Sequence, residues 1–310
     1  MAVANLAAVG LVAAPSQAQG VSLCSGTAEG FTIAGDLAVP AGASCTLINS
    51  TVRGNVVVRD DANLSLEGST VEGNLTVRAN GFVGALDSSV GGVTALREAF
   101  GVSVEQSELN RVNVNNSGFF FSDGTSHAQV NSNTGQTVII SGWVTGNVRT
   151  TLDLLTDIRD TVVTGTLTVD QAELGSVVCR SEVDGNVTVR GSGDLIQLGD
   201  SAPVAGCEFN VLGGRLTLAD NTAEIRVSDN VIRGNLNCTG NAITPAGSDN
   251  RLRGTATGQC ADLAPASVAP AFGGAAEMTT ESRIAGITRQ IEERSAAAIA
   301  EAVEAGPADL

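Results

Sequence analysis

Two phrases, Thr51-Val-Arg-Gly-Asn-Val-Val-Val58 and Thr70-Val-Glu-Gly-Asn-Leu-Thr-Val77, state one pattern twice, 19 residues apart. The pattern returns as Val162-Val-Thr-Gly-Thr-Leu-Thr-Val169, Glu182-Val-Asp-Gly-Asn-Val-Thr-Val189 and Val231-Ile-Arg-Gly-Asn-Leu-Asn-Cys238. A fixed period near 20 residues marks a solenoid, in which one unit forms one coil and buries its apolar face only against its neighbours. Propeller blades need about twice that length.

The glycine of the Gly-Asn corner serves as a marker. It stands at Gly35, Gly54, Gly73 and Gly91, is replaced at Asn110, and returns at Gly146, Gly165, Gly185, Gly214, Gly234 and Gly254. The step from 110 to 146 reads as two coils with one marker lost. The step from Gly185 to Gly214 reads as one coil carrying a loop of about ten residues around Cys207. Apolar-x-apolar triplets follow the corners, as in Val56-Val-Val58, Leu75-Thr-Val77 and Leu167-Thr-Val169. Such alternation marks strands with one face in a core. A second set lies at Cys45-Thr-Leu47, Leu64-Ser-Leu66, Leu152-Asp-Leu154 and Ile225-Arg-Val227, and short steps such as Thr51-Val52 precede the corners. Two or three strands per coil, with glycine and asparagine at bends that need positive φ, describe an all-β, right-handed parallel β-helix. It would have about 12 coils of about 19 residues and a C-terminal α-helix.

The expected division is a signal peptide at 1–18, the β-helix at 19–260, a linker at 261–279 and a helix at 280–305. Leu6 to Ala14 are small and apolar, and Ser16-Gln-Ala18 supplies a cleavage site. No other segment is long and apolar enough to span a membrane. The helix takes Thr279 or Thr280 as N-cap, carries a thin stripe of Ile284, Ile287, Ile291, Ala298, Ala302 and Val303, and stops at Gly306-Pro307. It either caps the open end of the rod over the last strand edges or pairs with a partner.

Six cysteines fit a secreted, extracellular protein. Cys24 and Cys45, Cys179 and Cys207, and Cys238 and Cys260 are each about one coil apart. Stacked strands lie about 4.8 Å apart, inside the Cα separation of roughly 4.4 to 6.8 Å that a disulfide accepts. Sequential pairing follows from the period. No Cys-x-x-Cys pair points to zinc.

The net charge of -16 argues against nucleic acid, whose binding needs a basic footprint. Every basic residue is arginine, so lysine chemistry is excluded. One histidine, His127, excludes multi-histidine metal sites within one chain; its setting, Asp123-Gly-Thr-Ser-His-Ala128, reads as an exposed loop. No catalytic residue, metal or cofactor is assigned. The best carboxylate group for Ca²⁺ is Asp153, Asp157 and Asp160, with Asp60-Asp61 behind it; solvated loop acids are the simpler reading of both. Of Phe119-Phe-Phe121, either the middle ring or the two flanking rings face outward. Trp143 reads as packed against a neighbouring coil. The middle residues of the triplets, Thr76, Asn113, Thr168, Thr188, Thr217 and Asn237, should form one outward ladder.

The phrases Val39-Pro-Ala-Gly-Ala-Ser-Cys-Thr-Leu47, Gly234-Asn-Leu-Asn-Cys-Thr-Gly-Asn241 and Gly258-Gln-Cys260, with the recurrent Val-x-Gly-Asn-Val, resemble secreted β-helix repeat proteins of high-GC bacteria. The repeat text is also similar to the polymer-forming bactofilins, which are cytosolic and lack these cysteines. The resemblance implies the fold and transfers no catalytic residue. The expected role is an exported, non-enzymatic structural or adhesive protein that self-associates or meets a cell-surface or extracellular polymer. The alternatives are a carbohydrate-active lyase or hydrolase using the aspartates, and an ice- or surface-binding threonine face.

Overall fold

A computed structural model describes residues 20–200, 202–265 and 278–310. The leader expected at 1–18, and residues 266–277 of the expected linker, lie outside the described residues. The chain is a parallel β-solenoid of about 12 turns, with turns about 19 residues apart. Each regular turn carries three strands. One turn has a long strand Asn63–Glu67, a short strand Thr70–Val71 and a triplet Leu75–Val77. Each pairs in parallel with its counterpart one turn later, Asn63 with Phe82, Thr70 with Ser89 and Leu75 with Thr94. The long strands form an 11-stranded sheet; the short and triplet strands share a 22-stranded one.

Alternation within each strand sends one set of side chains inward, and the fixed register stacks them. Leu47, Leu66, Ala85 and Val104 form one buried column, and Val52, Val71 and Val90 another. Each fully buried Val or Leu contributes about 1.5–3 kcal/mol. This repetition, rather than any single contact, holds the rod together. The set Leu152-Asp-Leu154 departs from the expected frame. Leu152 is a left-handed corner residue (φ 55°) with its side chain exposed, and the long strand of that turn is Leu155–Arg159, whose inward residues are Thr156 and Ile158.

The corners correct another expectation. The Gly-Asn glycines do not take positive φ. They are glycine because the turns stack backbone on backbone there. A Cβ on Gly185 would lie 2.5 Å from the carbonyl oxygen of Gly165, and one on Gly234 2.5 Å from that of Gly214. Positive φ falls at the other two corners instead, at Asn49, Asp87 and Gln106 after long strands and at Asp61, Asn80 and Asn116 after triplets. The residue after the first of these corners turns inward. Ser69 Oγ accepts the Ser50 N–H at 3.1 Å, Ser88 Oγ accepts that of Ser69 at 3.0 Å, and Ser107 Oγ that of Ser88 at 3.0 Å. Later turns use asparagine, whose Asn210 Oδ1 accepts the Ser181 N–H at 3.0 Å. The ladder satisfies buried backbone donors that no strand pairing reaches.

Two turns are trimmed. The short and triplet strands run together in Ser89–Arg97, where a bulge remains at Gly91-Gly92, and in Glu108–Asn115 and Ser126–Asn133, the two turns without a glycine corner. Leu109 pairs with His127 and His127 with Val144, so the step from 110 to 146 is two turns. The long turn is also as expected: Thr188 stacks directly on Thr217, and the excess length leaves as an excursion between Gly199 and Asn210. All three disulfides join sequential cysteines, with Cα separations of 5.6 Å for Cys24–Cys45, 4.9 Å for Cys179–Cys207 and 5.3 Å for Cys238–Cys260. The first and last clamp the two ends of the rod; the middle one pins the excursion.

The one helix among the described residues spans Thr280–Ala305 and opens with a capping box between Thr279 and Ser282. It does not cap the last strand edges. It lies lengthwise over the outer face of the long-strand sheet and runs back toward the first turn. Arg283 reaches Asp157, Arg294 Nε donates to Asn63 Oδ1 at 2.8 Å, and Ser44 Oγ donates to Glu301 Oε2 at 2.6 Å. A helix of 26 residues is about 39 Å long, the height of about eight turns. Ile284, Ile287 and Ile291 pack on Phe82, Phe119, Phe121, Val138 and Leu155. The flanking rings Phe119 and Phe121 thus face out of the solenoid yet are buried, whereas Phe120 points into its core. The apolar outer face of these turns and the isoleucine stripe of the helix account for each other.

Candidate functional site

The three aspartates weighed as a Ca²⁺ site are adjacent in sequence and separated in space, because they occupy a corner, a strand and the next corner. Asp153 follows the left-handed Leu152 and points into the solenoid. It accepts hydrogen bonds from Ser132 Oγ at 2.7 Å and Thr137 Oγ1 at 2.8 Å. Burial pushes its carboxyl up to about 6, against the opposing pull of those two hydroxyls. Asp157 points the other way, out of the long-strand sheet and under the helix, fully buried. It receives Arg283 Nε at 3.1 and 2.9 Å and the Val177 N–H at 3.1 Å. Asp160 sits at the following corner and is engaged by Arg180 Nε at 2.6 Å. In the weaker pair, Asp61 holds the Asn80 amide at 2.8 Å. Among the described residues no cluster of three or more His, Cys, Asp or Glu is arranged to hold a metal ion.

His127 is not an exposed loop residue. Asp123-Gly-Thr forms the corner, with Gly124 at φ 58°, and His127 is the first inward position after it. It is 2% exposed, in an aliphatic column between Leu109 and Val144. Its Nε2 lies 2.7 Å from Ser122 Oγ, and its ring meets Phe120 edge-on. Burial pushes the imidazole down to about 4. Ser122 is fully buried. A hydroxyl beside an imidazole has the makings of an activated nucleophile, but the buried Ser122 hydroxyl is not presented at the surface. Sequence reasoning missed this pair because inward placement depends on which side of Gly124 the strand restarts.

Successive triplets align Val57, Thr76, Ala95, Asn113, Asn131, Arg149, Thr168, Thr188, Thr217, Asn237 and Thr257 in one half-exposed column. It is one residue wide and is interrupted by Ala95 and Arg149. Its flanking positions, such as Leu167 and Val169, are buried. Trp143, read from sequence as packed between coils, instead stands outward and 51% exposed in the column that contains Ser126 and Val162.

At the first turn the C-terminal tail closes the long-strand sheet: Thr27 N–H donates to Gly306 O at 2.9 Å, and Ala308 N–H donates to Thr27 O at 2.8 Å. At the far end the irregular segment around Ala246 covers the last long strand, with Val227 N–H donating to Ala246 O at 2.9 Å. The last short and triplet strands, Arg251–Leu252 and Ala256–Gly258, have no following turn among the described residues. No family model, no curated protein and no solved structure matches this chain.

Proposed function

We propose that this protein is an exported, non-enzymatic β-solenoid that serves as a surface, matrix or self-associating structural component. The observation that carries this reading is the covalently clamped rod: a continuous parallel stack with one disulfide across its first turns and another across its last. Disulfides of this kind persist in oxidising compartments. Closing loops of this length adds on the order of 3 kcal/mol each. The two acids that burial has set apart, Asp153 and Asp157, serve the fold rather than a cleft, which fits a load-carrying object better than a catalyst. Its partners would be further copies of itself or an extracellular polymer.

The test uses the oxidised full-length chain. It is incubated with neutral, amino-sugar and uronate polysaccharides while product release is followed, and its assembly is followed by light scattering and electron microscopy. Discrete rods or their assemblies, without product, are expected. Turnover of any of these polymers would overturn the reading.

A further inference from the structure

The trimmed turns leave a feature that the structural role does not use. Regular turns project a Gly-Asn corner between the short strand and the triplet; the turns at 108–115 and 126–133 do not. No such corner stands between Gly91-Gly92, which stacks on Gly73, and Gly146, and the face there forms a groove of about 570 Å³. Its side chains include Thr70, Glu72, Ser89, Glu108, Ser126 and Thr145. The register sets their order: Thr70, Ser89, Glu108, Ser126 and then Trp143 occupy one outward column. Glu72 follows the buried Val71 on the other side, two turns from Glu108. Both glutamates are exposed, and neither has an ion-pair partner among the described residues. No arginine lines the groove.

We propose that this groove binds a glycan built of amino sugars, with protonated amines at Glu72 and Glu108 and one sugar ring against Trp143. Charge selects the class. Two unpaired carboxylates on a chain of net charge -16 attract cations and repel uronates, phosphates and nucleic acid. The indole supplies a flat apolar face that also favours cations. Hydroxyls repeating at the rise of the coils, about 4.8 Å, suit a polymer better than a single small ligand. The inference does not rest on the structural reading. Binding is measured apart from turnover, so either can fail alone.

Trp143, one turn beyond the groove residue Ser126, is the only tryptophan and the chain has no tyrosine, so intrinsic fluorescence reports on the end of the groove. The full chain is titrated with oligomers of glucosamine, N-acetylglucosamine and galacturonate. A saturable shift in Trp143 emission is expected with glucosamine oligomers, weakening as salt is raised, and at least tenfold weaker binding of the other two. Replacing both carboxylates, E72Q with E108Q, should cost at least tenfold in affinity, and W143A should remove calorimetric binding at the same concentrations. All three positions are on the surface, so unchanged melting temperatures confirm intact folds. No saturable shift with glucosamine oligomers overturns the proposal. So does equal affinity for N-acetylated or uronate oligomers, or an unchanged affinity in the double variant.

Discussion

His127 and Asp153 are buried ionisable groups whose effects on stability run in opposite directions. The imidazole is held near 4 in the folded chain, below its ordinary 6.5. Between those values the unfolded chain binds the extra proton, so stability falls as pH drops from 6.5 to 4. The Asp153 carboxyl is held near 6, above its ordinary 3.8. Here the folded chain binds the extra proton, so stability falls as pH rises from 3.8 to 6. Each shift is worth about 3 kcal/mol, and the two largely cancel between about pH 4 and 6. Asp153→Asn keeps acceptors and donors for Ser132 and Thr137 while removing the charge. It should leave stability unchanged below pH 4 and raise it by about 3 kcal/mol above pH 6, as measured by urea unfolding across that range. A flat difference between variant and wild type would refute the assignment. The two kinds of glycine make a second residue-scale contrast. Gly234→Ala places a methyl against the Gly214 carbonyl and should cost about 3 kcal/mol, the high end for overpacking, because backbone cannot give way. Gly30→Ala, at φ 71° with open space around it, should cost only the left-handed backbone term, about 1 kcal/mol. Thermal melts of the pair decide whether close stacking or torsion fixes the corner glycines.

The helix is the element least bound by the repeat, and one ion pair anchors its first turn. Asp157 is fully buried beneath it and takes Arg283 through both carboxylate oxygens. Removing Arg283 leaves a buried charge with only the poorly aligned Arg159, 3.8 Å away, to balance it. Such losses cost about 3–5 kcal/mol. Arg283→Ala should therefore release amide exchange across 280–305 and expose Phe119 and Phe121 to a hydrophobic dye. Adding Asp157→Asn should recover most of the loss; no recovery would mean that the pair is not the anchor. The strands were legible in sequence because each repeats the same inward positions, and a period of 19 residues pins the register that sequential cysteines then confirm. The bounds of the helix were legible from Thr279, the isoleucine stripe and Gly306, since capping is local. Its docking was not: Arg283 to Asp157 and Glu301 to Ser44 join residues more than a hundred positions apart, and no local pattern encodes such a contact. The placement of Asp153, Asp157 and Asp160 was hidden for a related reason. Their facing turns on one left-handed residue, Leu152, that the alternation rule reads as strand.

At the scale of the whole rod, the last five residues decide whether the first turn presents an open edge. A parallel sheet ends in unpaired N–H and C=O groups, and such an edge recruits other strands unless it is covered. Here Gly306 and Ala308 pair with both backbone groups of Thr27, and Ala308 also joins the main core. The chain thus folds back along the helix to cover the strand Gly26–Glu29, while the segment around Ala246 covers the other end of the same sheet. This arrangement would keep the long-strand sheet from adding copies end to end, and any assembly would run through the outer faces or the short and triplet strands. Ending the chain after Ala305 removes the cover and leaves the Arg283, Arg294 and Glu301 contacts of the helix in place. Gly26–Glu29 then becomes a free edge of four residues. The shortened chain should form concentration-dependent oligomers by light scattering at concentrations where the full chain forms fewer. Substituting Thr27→Pro in the shortened chain removes the freed N–H and should reverse the effect. Identical scattering from the full and shortened chains would show that the tail does not control this edge, and that the first turn is kept apart by its own side chains.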